Sequence, residues 1–197
     1  MPTQLIDQAA VQVLFTEARS THPFTDEPVT DADLHTIWSL ARLPPTSANM
    51  NPLRMVFVQS PEARARLVAH MAESNRDKTL AAPAVALLAA DTAFHEYMGE
   101  LFPTRPDFVE IFGADPNRRE TARFNATLQA GYFLLAVRAV GLAAGPMTGF
   151  DFPGMDAEFF PDDRLSSLMV VNIGYPGGPS PFARLPRLDF AQVAQIL

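Results

Sequence analysis

Cysteine is absent from the 197-residue chain. A disulfide framework, Cys-ligated zinc and iron–sulfur clusters are therefore excluded, and any redox chemistry has to come from a bound cofactor. Histidine is scarce and scattered: His22, His35, His70 and His95 make no metal-ligand spacing, so no metal site is expected. Positive charge is scarce as well. The formal net charge is −7, and no cluster of Lys and Arg is dense enough to neutralise a row of phosphates, which argues against a nucleic-acid partner. No apolar run approaches the ~20 residues of a bilayer span. The opening MPTQLIDQAAVQVLF also lacks a basic segment followed by a continuous apolar one, so the expectation is a soluble, cytoplasmic protein with no membrane partner. Two motifs are missing: no Gly-x-Gly-x-x-Gly follows a strand, and there is no Gly-x-Ser-x-Gly elbow. A dinucleotide-binding fold and the usual serine hydrolase are thereby set aside.

What is present is enough hydrophobic sequence, 48% of residues, for one substantial core, and the absence of repeats and linkers makes 1–197 a single domain. Helical spacing runs from Leu5 to Ala18 and again from Thr30, where Leu34, Ile37, Trp38 and Ala41 would face inward. MVFVQ (55–59), AVALLAAD (84–91) and LMVVNIG (168–174) read as strands apolar on both faces, as expected of strands covered by helices on each side. Ser60 and Pro61 start a helix expected to reach about Glu73. The longest helical segment, 119–141, is apolar around most of its circumference and ends at Gly141, which suits the core or a subunit interface. Residues 102–118, with three prolines, read as an exposed excursion, and a Pro/Gly-rich tail precedes a last short helix near 189–197. The layout is α+β.

Several features could carry chemistry. The stretch 44-PPTSANMNPLRM-55 is stiffened by prolines, each of which fixes φ near about −65°, so the chain spends less entropy holding it in one shape. Lys78, in 75-NRDK-78, is the only lysine. A compact ammonium on a long stem can stabilise an anion developing on a ring, although a solvated lysine at a helix end reads equally well. Arg19-Ser20 after the first helix, and Arg184 with Arg187 in ARLPRL, have the chemistry of a bidentate phosphate clamp or simply of rim charges. The segment 145-GPMTGF-150 is a loop able to bring bare backbone N–H groups near a planar ligand. By themselves these residues point to a pocket for an anion or a ring.

Together they resemble the flavin-dependent nitroreductase family from about Leu14 to the C-terminus, and within it the malonic semialdehyde reductase branch of pyrimidine degradation. The matching pieces are 18-ARSTHPF-24, PPTSAN, KTLAAP, GPMTGFD, VNIGY and ARLPRL. The resemblance implies a central, mainly antiparallel sheet flanked by helices, a long buried helix at a homodimer interface and a C-terminal extension reaching the partner. It implies FMN as cofactor, with NADH or NADPH as co-substrate. Arg19, Ser20, His22 and Arg184 or Arg187 would then meet the flavin phosphate. Pro45, Thr46, Ser47 and Asn49 would reach the flavin bound mainly by the partner, Asn75 and Lys78 the pyrimidine end of the ring, and Pro146, Met147, Thr148 and Gly149 the hydride-carrying N5. Ala18 stands where the family has an arginine, and Thr148 where it has a glutamate. The implied reaction reduces malonic semialdehyde to 3-hydroxypropanoate. A broad nitro or quinone reductase, a flavin-binding module without turnover and a dimeric scaffold are the alternatives. Thr148, Tyr132 and water are open as proton donors, and Arg54 and Arg123 as grips for a substrate carboxylate.

Overall fold

The structure, a computed structural model, describes residues 6–20 and 23–197. Helix α1 (Gln8–Val11), capped by the Asp7 carboxylate, continues into a single π-helical stretch, Gln12–Thr16. Helix α2 (Asp31–Ala41) starts where a reciprocal box forms: the Asp33 N–H donates to Thr30 Oγ1 and the Thr30 N–H donates to Asp33 Oδ2, so two of the helix's orphan N–H groups are satisfied. Then come β1 (Leu53–Val58), α3 (Pro61–Ala69), α4 (Glu73–Leu80) and β2 (Ala84–Asp91). A 3-10 turn, Phe94–Tyr97, leads into α5 (Met98–Leu101), followed by α6 (Phe108–Ala114), the 22-residue α7 (Arg118–Ala139), β3 (Ala143–Met147), α8 (Phe152–Phe159), β4 (Leu165–Gly174) and α9 (Phe190–Val193). Among the described residues no helix is long and apolar enough to cross a membrane.

The four strands form one antiparallel sheet in the order β1-β2-β4-β3. Strand β2 shows why it is apolar on both faces. Ala84, Ala86, Leu88 and Ala90 join the core under α2 and α7, while Val85, Leu87 and Ala89 join a second core under α3 and α8, following the two-residue period of a strand. On α7, Ala122, Ala126, Ala130 and Ala136 are buried. Small side chains along one stripe let the helix approach the sheet closely.

Four expectations need correction. Among the described residues there are four strands rather than three, because Ala143–Met147, which overlaps the supposed loop 145–150, is extended and pairs with β4; a glycine and a proline in AAGPM hid its character. The helix after Ser60 ends at Ala69 instead of reaching Glu73, where a further helix, α4, begins; at the break Met71 makes a β-bridge with Phe150. Residues 102–118 are not an exposed excursion: Phe102, Phe108 and Phe112 pack onto the core, with ring centroids 5.4 Å apart for Phe102–Phe108 and 5.6 Å for Phe94–Phe112. Trp38 is partly exposed instead of buried, lying in a groove between α2 and the free edge of β1.

A buried carboxylate ties the start of β1 to the start of β4. Asp91 is 1% exposed and accepts from Arg54 Nη2 at 2.7 Å and from Arg164 Nε at 3.2 Å, and both guanidinium groups lie over the Tyr97 ring. Removing the shared acceptor leaves Arg54 without a carboxylate and Arg164 with Glu96 alone. Asp91→Ala is expected to lower the free energy of unfolding in urea by about 3 kcal/mol.

Candidate functional site

The proline loop is held in a conformation that ordinary residues avoid. Ala48, Asn49 and Asn51 have φ of 47°, 55° and 41°, in the left-handed region that costs L-residues about 1–2 kcal/mol each. Two buried amides on α7 enforce it. Asn125 Oδ1 accepts the Ser47 N–H at 2.8 Å, while Gln129 accepts the Leu53 N–H at 3.0 Å and donates to Asn51 Oδ1 at 3.1 Å. Asn49 Nδ2 donates to the Leu101 carbonyl at 2.8 Å. Pro45, Ser47 and Asn49 are exposed and Thr46 half-buried, so a strained backbone presents these residues outward, a pattern typical of functional loops.

A second group surrounds the end of β3. Met147 and Phe150 are buried while Thr148 and Gly149 between them are exposed, and Pro146 belongs to the strand. The turn is fastened to the α3–α4 junction. Asn75 Nδ2 and the Ala72 N–H both donate to the Gly149 carbonyl, at 2.9 and 3.0 Å, and the Asp151 N–H donates to the His70 carbonyl. A Cβ on Gly149 would lie 2.7 Å from Asn75 Nδ2, so this close approach requires glycine. Lys78 follows Asn75 by three positions on α4, on the same face of the helix. Its carbonyl accepts from Asn172 Nδ2 at 3.1 Å, and its ammonium pairs with no carboxylate among the described residues.

The third group is a cavity of about 560 Å³ walled by Arg19, Ser20, Arg184 and Arg187, together with Arg138 from the last turn of α7. None of these four arginines pairs with a carboxylate among the described residues. Arg184 Nη2 donates to the carbonyls of Phe15, Thr16 and Ala18, Arg19 to that of Ala18, and Arg187 to those of Leu185 and Pro186. Four cations around one hollow, in a chain of net charge −7, concentrate positive potential there. His22 lies outside the described residues.

Strand β3 relates the second and third groups. Arg138 and Ala143 share a wall at the strand's start, while its other end opens the Thr148–Gly149 turn, about 13 Å away at the usual rise per residue. The proline loop stands apart. Asn125, which holds it, and Arg138, in the arginine cavity, are thirteen positions apart on α7, about 20 Å along the helix axis.

Sequence reasoning missed Arg138, Asn125 and Gln129. The signal was there: a polar residue in an alanine-lined helical stripe has to find a partner inside. It also looked to Arg54 and Arg123 to grip a substrate. Arg54 is committed to Asp91, and Arg123 lies over Phe152 with Nη1 3.4 Å from the Ser167 carbonyl. The cation that shares a cavity of about 500 Å³ with Thr148 and Gly149 is Arg76.

A hollow lined by four arginines and a glycine-dependent turn, joined by one strand, form the candidate site of this α+β domain. The chain belongs to the nitroreductase family, whose model matches residues 16–175. It is 55% identical over 190 residues to a Streptomyces coelicolor protein provisionally named NADH dehydrogenase/NAD(P)H nitroreductase, covering 96% of each chain. A similarly named protein of Rhodopseudomonas palustris is 44% identical over 197 residues, covering 100% of this chain and 98% of the other. The fold is shared with a protein of Exiguobacterium sibiricum crystallised with FMN, at a TM-score of 0.83 and 20% identity over 99% of this chain and 100% of that one. It is shared as well with an enone reductase of gut-bacterial fatty acid saturation, at a TM-score of 0.81 and 21% identity over 98% and 100%.

Gln129 is buried and makes two bonds that a leucine of similar volume cannot. Gln129→Leu is expected to cost about 1–3 kcal/mol in urea unfolding and to accelerate hydrogen exchange at the Leu53 amide.

Proposed function

We propose that this protein is an FMN-dependent NAD(P)H oxidoreductase that works as a homodimer in the cytoplasm and reduces a small carbonyl acceptor, malonic semialdehyde, to 3-hydroxypropanoate. The observation that carries the reading is the pairing, at the two ends of β3, of a carboxylate-free arginine cavity with the Asn75–Gly149 turn. In this reading Arg19, Ser20, Arg184 and Arg187 hold the phosphate, Asn75 and Lys78 meet the pyrimidine edge of the ring, and the backbone of Pro146–Gly149 lies beside its reactive nitrogen. The Gly149 cradle and the unpaired guanidinium groups fit such a group. When bound, FMN supplies the hydride chemistry, taking two electrons from NADH or NADPH and passing them to the acceptor. The overall balance is aldehyde plus NAD(P)H plus a proton giving alcohol plus NAD(P)⁺.

The chain's own residues supply charge and position. The Lys78 ammonium favours negative charge gathering on the adjacent ring edge. Thr148 brings no carboxylate to the turn itself, and in the adjoining cavity, which Asp151 also lines, Arg76 supplies a cation for an acceptor bearing its own carboxylate. Three features support the dimer. The Pro45–Asn49 loop is too far along α7 to serve the arginine cavity of its own chain and suits that of a second copy. Phe124, Leu128 and Tyr132 form an exposed stripe on α7, opposite the face that packs on the sheet. Residues 181–197 are exposed throughout, with Phe182, Leu185, Leu188, Phe190 and Val193 uncovered. Exposed apolar surface of this kind marks an interface.

The names of the relatives favour a second reading, a nitroreductase of broad specificity. Steady-state kinetics with both acceptors separate the two: kcat/KM for malonic semialdehyde is expected to exceed that for a nitroaromatic compound at least tenfold, and the reverse order would reject the carbonyl acceptor. In Lys78→Ala, the flavin is expected to remain bound while its midpoint potential falls and its reduction by NAD(P)H slows by about tenfold or more; an unchanged potential would remove Lys78 from the site.

A further inference from the structure

We propose that Arg138 is a phosphate-binding residue of the flavin site, supplying from the end of α7 the charge that Ala18 lacks. The proposal rests on the FMN reading above and concerns a residue that the phosphate pattern at 18–24 does not contain. Arg138 lines the same cavity as Ala18, Arg19, Ser20, Arg184 and Arg187. Among the described residues its Nε is buried without an acceptor, and its one hydrogen bond runs from Nη1 to the Leu14 carbonyl at 3.3 Å. A guanidinium carries five N–H donors, so most of its capacity is unspent.

Two structural roles fail to account for this. A cation at a helix C-terminus is favoured by the helix dipole, but a capping arginine would donate to the last carbonyls of its own helix, and Arg138 turns instead to the π-helical stretch Gln12–Thr16 and the cavity. Arg64 shows what a buried structural arginine looks like in this fold: its Nε also lacks an acceptor among the described residues, but Nη1 and Nη2 donate to the carbonyls of Val58, Leu80, Ala82 and Pro83, binding α3 to its neighbours. Arg138 has no such set. Burial, and then the charge of nearby Arg184, hold its pKa below the usual arginine range. Both penalties are relieved by an anion seated between the two guanidinium groups, and a phosphate also offers the acceptors that Nε and Nη2 lack. The same anion draws Arg19, Arg184 and Arg187 from the other walls.

The test compares FMN with riboflavin, which carries the same ring and ribityl chain without the phosphate. Flavin-stripped protein is titrated with each ligand, following quenching of flavin fluorescence, for the wild type, Arg138→Met, and Arg138→Met combined with Ala18→Arg. The methionine keeps much of the stem's packing. Losing charge-assisted hydrogen bonds of the usual strength is expected to weaken FMN binding at least tenfold while changing riboflavin binding less than twofold. The added Ala18→Arg is expected to restore most of the FMN affinity. Equal losses for both ligands would mean that Arg138 only holds the fold, and unchanged FMN affinity would remove it from the phosphate site; either result overturns the proposal. If Arg138→Met does not fold, Arg138→Lys replaces it in the titration: the point charge is expected to keep riboflavin binding and weaken FMN binding a few-fold, and unaltered discrimination between the two ligands would overturn the proposal. A wild-type protein that binds FMN no more tightly than riboflavin would instead reject the phosphate reading of the cavity as a whole.

Discussion

The close seating of α7 on the sheet is the constraint from which the site follows. Alanines at 122, 126, 130 and 136 bring the helix near enough that the few polar side chains on its inner face must be satisfied by strand and loop backbone. Asn125 and Gln129 meet that demand by taking the amides of Ser47 and Leu53. Because those amides are held, the loop between them keeps three non-glycine residues in left-handed conformations. At its other end the same helix delivers Arg138 to the arginine cavity. One rigid element therefore positions two functional regions with no flexible joint between them.

Electrostatics acts locally and against the overall balance. The chain is acidic, yet four arginines surround one hollow without a carboxylate among the described residues, while Asp91 is shared by two other arginines a short way from the surface. Arg54 and Arg164 share a buried carboxylate and Arg64 has four carbonyls. In the cavity, Arg19, Arg184 and Arg187 meet carbonyls alone among the described residues, and Arg138 is left with donors to spare. Arg138, rather than the number of cations, sets the candidate site apart from the scaffold.

Much of this was legible in the sequence. Period-two alternation inside the run 84–91 could not be read from an all-apolar segment, but its covering on both faces could, and the structure divides its residues between two cores. The Thr30 start of α2 was legible because capping chemistry is local. Strand β3 was not, because AAGPM has the composition of a turn and becomes extended only through pairing with β4. The aromatic cluster of 102–112 was hidden behind prolines for a similar reason: its stability comes from rings meeting across the fold. At the site, the residues of contiguous motifs stood out, whereas Arg138, Arg76 and the two α7 amides matter through neighbours distant in sequence.

The C-terminal arm carries two kinds of side chain on one short stretch. Arg184 and Arg187 face the arginine cavity, and Phe182, Leu185 and Leu188 stand exposed between and beside them. Ordering that backbone costs conformational entropy once, whichever set of side chains is engaged first. A ligand that fixes the arginines therefore makes it easier to cover the apolar residues, and a surface that covers them makes the anion bind more tightly, by the same factor in both directions. In the FMN-bound homodimer proposed above, the arm would thus couple occupancy to assembly, with no second conformation of the folded domain required.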